Sequence, residues 1–156
     1  MMTGLLRLAH NDHRMIALIG AAVAASLAMA YIAEYQFGLL PCELCLLQRK
    51  PFFVVLGLVA IGLLLKKTMQ RKVILALIAL TLFVNAGIAF YHTGVEQKWW
   101  LGPTECSAEE IQSGLSLEAM RAQIMAAPLI RCDVPAWEFH GLTMASLNVV
   151  FCLMLS

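Results

Sequence analysis

The chain has 156 residues, 61% of them hydrophobic and only 13% charged, with a mean hydropathy of +0.79. That is far more apolar than an ordinary soluble domain, and the clustered charges leave long uncharged runs, so the composition indicates a polytopic membrane protein built as one compact bundle. A formal net charge of +1 without a basic face argues against a nucleic-acid partner, because such proteins neutralise phosphates with grouped cations.

Arg7, His10, His13 and Arg14 precede an Ala-rich apolar run from Met15 to Ala33. At 1.5 Å per residue its 19 positions reach roughly across the hydrocarbon core, which predicts a first span over 15–33. The rival is a cleaved signal peptide, suggested by the basic flank and the Ala28-Met29-Ala30 triplet. A spanning helix is the better reading, because the later apolar segments need a bundle partner.

A short polar interval from Glu34 to Lys50 carries Pro41-Cys42-Glu43-Leu44-Cys45-Leu46-Leu47-Gln48-Arg49. The apolar run behind it, Phe52 to Leu65, is too short to span alone, so the second span is expected to begin near Leu46 and cover 46–65. Arg49 and Lys50 then lie at the interface, and Pro51 predicts a break or a first turn there. Lys66, Lys67, Arg71 and Lys72 form a tight basic loop, a cytoplasmic signal under the positive-inside rule. Val73 to Tyr91 is a third span whose Thr81 and Asn85 are read as contacts inside a helix bundle.

From His92 to His140 three cations face seven acids, which places this segment opposite the basic loop, with both termini cytoplasmic. Within it Leu117, Met120, Ile124 and Met125 share one face at helical spacing behind Ser116 as N-cap, predicting a short amphipathic helix on the membrane surface or packed on the bundle. Trp99 and Trp100 suit interface anchors. The last run, Gly141 to Leu155, spans only if Trp137 to His140 contribute its first turn, giving a fourth span over 137–155. The predicted fold is therefore an all-α membrane protein: a four-transmembrane-helix bundle with two periplasmic loops, about 34–45 and 92–136, and a short amphipathic surface helix.

Cys42, Cys45, Cys106 and Cys132 all fall on the outer, oxidising side in this topology, which favours disulfide chemistry. The two-residue spacing of Cys42 and Cys45 is typical of a reversible redox pair. A passive staple or half a zinc site are the bland alternatives; zinc needs two further ligands, from His92, His140 or other cysteines, at no familiar spacing. Arg49 lies four residues after Cys45, on the same face if the turn is helical, where a cation stabilises a thiolate; a cation that merely snorkels explains it equally well. Cys106 and Cys132 enclose 25 residues in irregular chain marked by Gly102-Pro103 and Pro128, and a crosslink there can be stabilising or labile. Cys152, inside the final apolar run, is read as a small buried hydrophobe.

These blocks resemble the bacterial disulfide bond formation protein B (DsbB) family. The resemblance rests on Pro41-Cys42-x-x-Cys45-x-x-x-Arg49, Tyr91-His92-x-Gly94-Val95-Glu96, Trp100-x-Gly102-Pro103-x-x-Cys106 and Cys132-Asp133-x-x-x-Trp137-x-Phe139-x-Gly141-Leu142, and it covers nearly the whole chain. It implies an inner-membrane thiol oxidoreductase that reoxidises a periplasmic DsbA-like thioredoxin-fold protein and passes electrons to ubiquinone or menaquinone. It further implies that Cys106 forms the mixed disulfide with the partner, that Cys132 is the disulfide mate of Cys106, and that Cys45 of the Cys42/Cys45 pair faces the quinone, assisted by Arg49 and by His92. Gln48 stands where the family can carry an acid, which bears on the tuning of the quinone site. Two other readings compete: a non-catalytic membrane scaffold with disulfide staples, and an enzyme resembling vitamin K epoxide reductase, where the redox motif lies within a later span.

Overall fold

The computed structural model describes residues 2–103, 116–126 and 130–156. It is mostly helical: α1 (Met2–Phe37), α2 (Glu43–Leu64), α3 (Thr68–Glu96), α4 (Leu117–Ala126) and α5 (Met144–Leu155), with a two-stranded hairpin of β1 (Glu138–Phe139) and β2 (Leu142–Thr143) before α5. Three helices are long and apolar enough to cross a membrane, the first counted over Asn11–Phe37, and α5 is a shorter apolar helix. This is a multi-pass membrane protein.

The helices assemble through one apolar stripe each. Ile16, Val23 and Leu27 of α1 meet Phe52, Val55 and Val59 of α2 and Ile74, Ile78, Leu82 and Ala86 of α3, spacings of three, four and seven that keep one face inward; Cys152 of α5 closes the cluster. α2 and α3 pack together, α5 packs on α3, and α1 on α2. A Cβ at Gly20 would lie 2.7 Å from a Val59 methyl, so a glycine there lets α1 and α2 approach closely. The outward faces remain apolar: Leu18, Leu64, Leu80, Phe83 and Met154 are all at least 60% exposed, which lipid tolerates and water does not.

Four local outcomes differ from the sequence expectation. α2 begins at Glu43, three residues before Leu46, and runs through Pro51 unbroken, because packing on α1 and α3 holds the helix on both sides of the missing donor. At about 33 Å it is a full span. The segment before α5 is the hairpin, not a first helical turn: His140 (φ 51) and Gly141 (φ 80) are both left-handed and form a two-residue turn that pairs Phe139 with Leu142. α5 starts only at Met144 because Thr143 and Ser146 build a reciprocal capping box (Ser146 N–H to Thr143 Oγ1, 3.2 Å; Thr143 N–H to Ser146 Oγ, 2.8 Å). Lastly, Asn85 is buried in the bundle as expected, whereas Thr81 satisfies its hydroxyl on its own helix at the Leu77 carbonyl (2.8 Å).

The C-terminal end of α3 closes tightly. Lys98 turns left-handed (φ 59), Lys98 N–H reaches the Val95 carbonyl and Trp99 N–H the Gly94 carbonyl, the paired bonds of a Schellman ending. The chain thereby folds back so that Trp100 stacks on Tyr91 (5.9 Å), donates Nε1–H to the Tyr91 carbonyl (2.9 Å) and lays its indole against Gly94, where any Cβ would collide. In α4, Ser116 is the N-cap (Ala119 N–H to Ser116 Oγ, 3.3 Å), while Leu117 and Met125 are more than 80% exposed; the Ile124 side chain lies outside the described part.

Candidate redox site

Cys42 is the N-cap of α2. Its extended backbone (φ −77°, ψ 171°) lets the thiol sulfur accept the Cys45 N–H at 3.3 Å, the role an oxygen usually takes at a helix start. The same turn brings Cys45 beside it, and Cys42 Sγ–H donates to Cys45 Sγ at 2.9 Å, both residues being thiols. Cys42 is buried and Cys45 half-buried. The hydrogen bond to Cys45 first, and burial second, push the Cys42 thiol up to about 12, with His92 pulling the other way.

His92 enters from α3, with Nε2 3.5 Å from Cys42 Sγ and 3.6 Å from Glu96 Oε1, one turn farther on the same helix. Its Nδ1 lies 2.7 Å from the Gln48 amide of α2. A buried polar chain continues inward: Asn148 Nδ2 donates to Gln48 Oε1 (2.6 Å), Cys152 Sγ to Asn148 Oδ1 (3.4 Å), and Asn85 Nδ2 to Cys152 Sγ (3.5 Å). Cys152 is therefore buried, as expected, but as a link in this chain. Asn85 Oδ1 and Glu96 Oε2 have no hydrogen-bond partner among the described residues.

Cys132 is buried in one cluster with Cys42, Leu44 and Val95, against which Cys45 and Ile130 pack. Beside it Arg131 grips Asp133 with two bonds (2.8 and 2.6 Å), which holds the Asp133 carboxyl below the usual carboxylate range. Arg49 does not simply snorkel: it pairs with Glu34 of α1 at 2.5 Å and sits 4.8 Å over the Tyr31 ring, largely buried. The structure thus gathers Cys42, Cys45, His92 and Cys132, and it ties Arg49, one helical turn after Cys45, to α1. Cys106 lies outside the described residues, as do Glu105, Glu109, Glu110 and Pro128.

Asn148, Glu96 and Glu34 join the site although none was singled out as a site residue from sequence, and Gln48, noted there only for its place in the family motif, contacts His92. Two signals were available: His92 and Glu96 are an i,i+4 pair, and Asn148 with Cys152 repeats that spacing inside an otherwise apolar run. Chemically, a sulfur pair in contact, a third cysteine packed on it and an imidazole within reach form an arrangement suited to thiol–disulfide exchange.

The family model described as disulfide bond formation protein DsbB matches residues 12–156. The chain is 31% identical to a disulfide bond formation protein B of Shewanella sp. (strain MR-4), over 96% of this chain and 85% of that one, and the protein of the same name from strain ANA-3 is 30% identical over the same shares. An uncharacterized protein of Rickettsia prowazekii is 29% identical over 83% of this chain and 76% of its own. No solved structure matches. With the match running from the start of the first apolar run through the cysteine cluster to α5, the chain belongs to the DsbB family of membrane disulfide-formation proteins.

Proposed function

We propose that this chain is a quinone-dependent protein dithiol oxidase of the bacterial inner membrane, which reoxidises a periplasmic DsbA-like protein through two cysteine pairs. The observation that carries this reading is the burial of Cys132 in one cluster with Cys42, against which Cys45 packs, because relay between two pairs requires sulfur to reach sulfur. The partner's dithiol gives two electrons and two protons to a Cys106–Cys132 disulfide, leaving the partner oxidised and that pair as thiols. A thiolate of that pair then attacks a Cys42–Cys45 disulfide, and a second exchange closes Cys106–Cys132 again and leaves Cys42 and Cys45 as thiols; the structure describes Cys42 and Cys45 as thiols.

The dithiol would pass its two electrons to ubiquinone or menaquinone, which would supply the electron acceptor when bound. The local chemistry fits such a group: Cys45 is the more exposed thiol, Leu46 and Leu47 beside it are over a third exposed and apolar, and Arg49 and His92 supply polar groups. Cys45, Arg49 and His92 are the residues that would hold it. His92 faces Cys42 and is placed to take a thiol proton, while Glu34 and Tyr31 fix Arg49.

The topology that serves this function has four spans in a single domain, α5 and its hairpin supplying the last, with both termini cytoplasmic. Arg71 donates to the Leu65 and Lys66 carbonyls and so folds the basic α2–α3 loop, which marks the cytoplasmic end and leaves Cys42 at the periplasmic one. The exposed apolar residues of α4 suit contact with the outer lipid surface. The test is quinol formation from a ubiquinone analogue supplied with a reduced thioredoxin-fold partner: the purified protein should catalyse it and Cys45→Ser should stop it. Undiminished turnover in Cys45→Ser would sink this reading, and no quinol formation together with disulfides that never change pairing would leave a stapled scaffold instead.

A further inference from the structure

Sequence alone disfavours zinc at Cys42-x-x-Cys45 because two further ligands at a recognisable spacing are missing. The fold supplies both from one turn of α3. The ligand atoms of Cys42, Cys45 and His92 all lie within 4.8 Å of one another, and Glu96 Oε1 is 3.6 Å from His92 Nε2.

We propose that the reduced protein carries a redox-gated zinc site, with Cys42 Sγ, Cys45 Sγ, His92 Nε2 and the Glu96 carboxylate as its four ligands. Zinc bonds of about 2.3 Å to sulfur and about 2.0 Å to nitrogen or oxygen give tetrahedral edges of about 3.8 Å between sulfurs, about 3.5 Å from sulfur to nitrogen and about 3.3 Å from nitrogen to oxygen. Cys42 to His92 already stands at 3.5 Å and His92 to Glu96 at 3.6 Å, while the thiol pair, at 2.9 Å, must open by about 0.9 Å and the Glu96 carboxylate, which stands outside the three-residue cluster, must close on the sulfurs. Cys45 is free to open the pair, being the half-buried member.

Two further observations point to a ligand. The Glu96 side chain is only 5% exposed and its Oε2 is buried without a hydrogen-bond partner among the described residues, although the Thr143 side chain is near enough to interact; a cation answers that need. In addition, His92 Nδ1 lies 2.7 Å from Gln48 Nε2, so a reversal of that amide gives the outer support typical of metal-bound histidine. For Nε2 to bind metal, Nδ1–H must donate, so the Gln48 amide turns its oxygen to His92. The reversal can pass along the chain: Asn148 then offers its oxygen to Gln48 and its amide N–H to Cys152, whose S–H can meet an Asn85 oxygen that otherwise lacks a partner.

Binding displaces two thiol protons and moves no electrons. Oxidation of Cys42 and Cys45 to a disulfide removes both thiolates and releases the ion, so the metal and the disulfide exclude each other.

The test uses detergent-solubilised full-length Cys106→Ser/Cys132→Ser protein, so that the other loop thiols cannot bind. Co²⁺ is titrated into the reduced form and then displaced by Zn²⁺. A thiolate-to-cobalt absorption band and tetrahedral visible bands should saturate at one metal per chain and vanish when the same sample is oxidised with a thiol oxidant, returning on reduction. Cys45→Ser should abolish the band. His92→Gln should weaken affinity at least about tenfold, and Glu96→Gln should weaken it while retaining the thiolate band. A reduced sample without a thiolate band, a band that survives oxidation, or unchanged affinity in His92→Gln would overturn the proposal. None of these readouts needs a quinone or a partner, so the outcome stands apart from the proposed activity.

Discussion

Removing Cys45 should turn Cys42 from a locked thiol into a reactive one. Cys42 is 5% exposed and donates its proton to Cys45 at 2.9 Å, and these two effects take it from 9.0 to about 12. A rise from 9.0 to about 12 leaves the thiolate fraction at pH 7 about 1000-fold below that of an unperturbed thiol. In Cys45→Ala the largest cause disappears, leaving burial opposed by His92, and Cys42 should alkylate on the order of 100-fold faster. The assay is a brief exposure of the reduced protein to iodoacetamide, followed by peptide mass spectrometry of Cys42 and Cys45. Wild type should label at Cys45 and spare Cys42. The pH profile separates acidity from mere exposure: wild-type Cys42 labelling should climb about tenfold per pH unit through pH 10, whereas in Cys45→Ala it should flatten near the ordinary thiol value. Cys42 labelling as fast in wild type as in Cys45→Ala would refute the reasoning, because the proton would then not be held between the sulfurs.

Three other outcomes are expected. Glu34→Ala strands a largely buried Arg49 and should cost about 2–3 kcal/mol, read by thermal unfolding in detergent, with Glu34→Ala/Arg49→Met closer to wild type than Glu34→Ala alone; equal stability of Glu34→Ala and wild type would remove the pair's structural role. Asn148→Leu leaves the Gln48 oxygen buried without its donor and should cost about 1–3 kcal/mol by the same assay, while slowing thiol oxidation because His92 loses its support. Asp133 has a depressed folded pKa, so its contribution is present above the unfolded value of about 3.9 and is lost as pH falls through the folded value. Asp133→Asn should therefore lower the melting temperature by less than about 2 °C at pH 7, its Arg131 partner being exposed to solvent, and the difference should close as the pH is lowered below 4.

The membrane character, the three long spans and the position of the basic loop were legible because apolar run length and charge clustering are local properties of the chain. The cysteine pair was legible for the same reason: a spacing of two residues sets both thiols in one helical turn. Pro51 misled, because the cost of a missing donor is local while the packing of α2 on α1 and α3 that offsets it is not. The His140-Gly141 turn was hidden in what looked like the start of a span, since two left-handed residues and a capping box at Thr143 outweigh the apolar pattern around them. Contact across 15 to 100 residues was beyond the sequence altogether. Spacing put Arg49 on the face of Cys45, but only the tertiary structure hands it to Glu34 and Tyr31, places His92 and Glu96 of α3 on the sulfurs of α2, and runs Gln48 into Asn148 and Cys152. A buried polar group must find a partner wherever packing brings one, and a one-dimensional pattern does not record where that is.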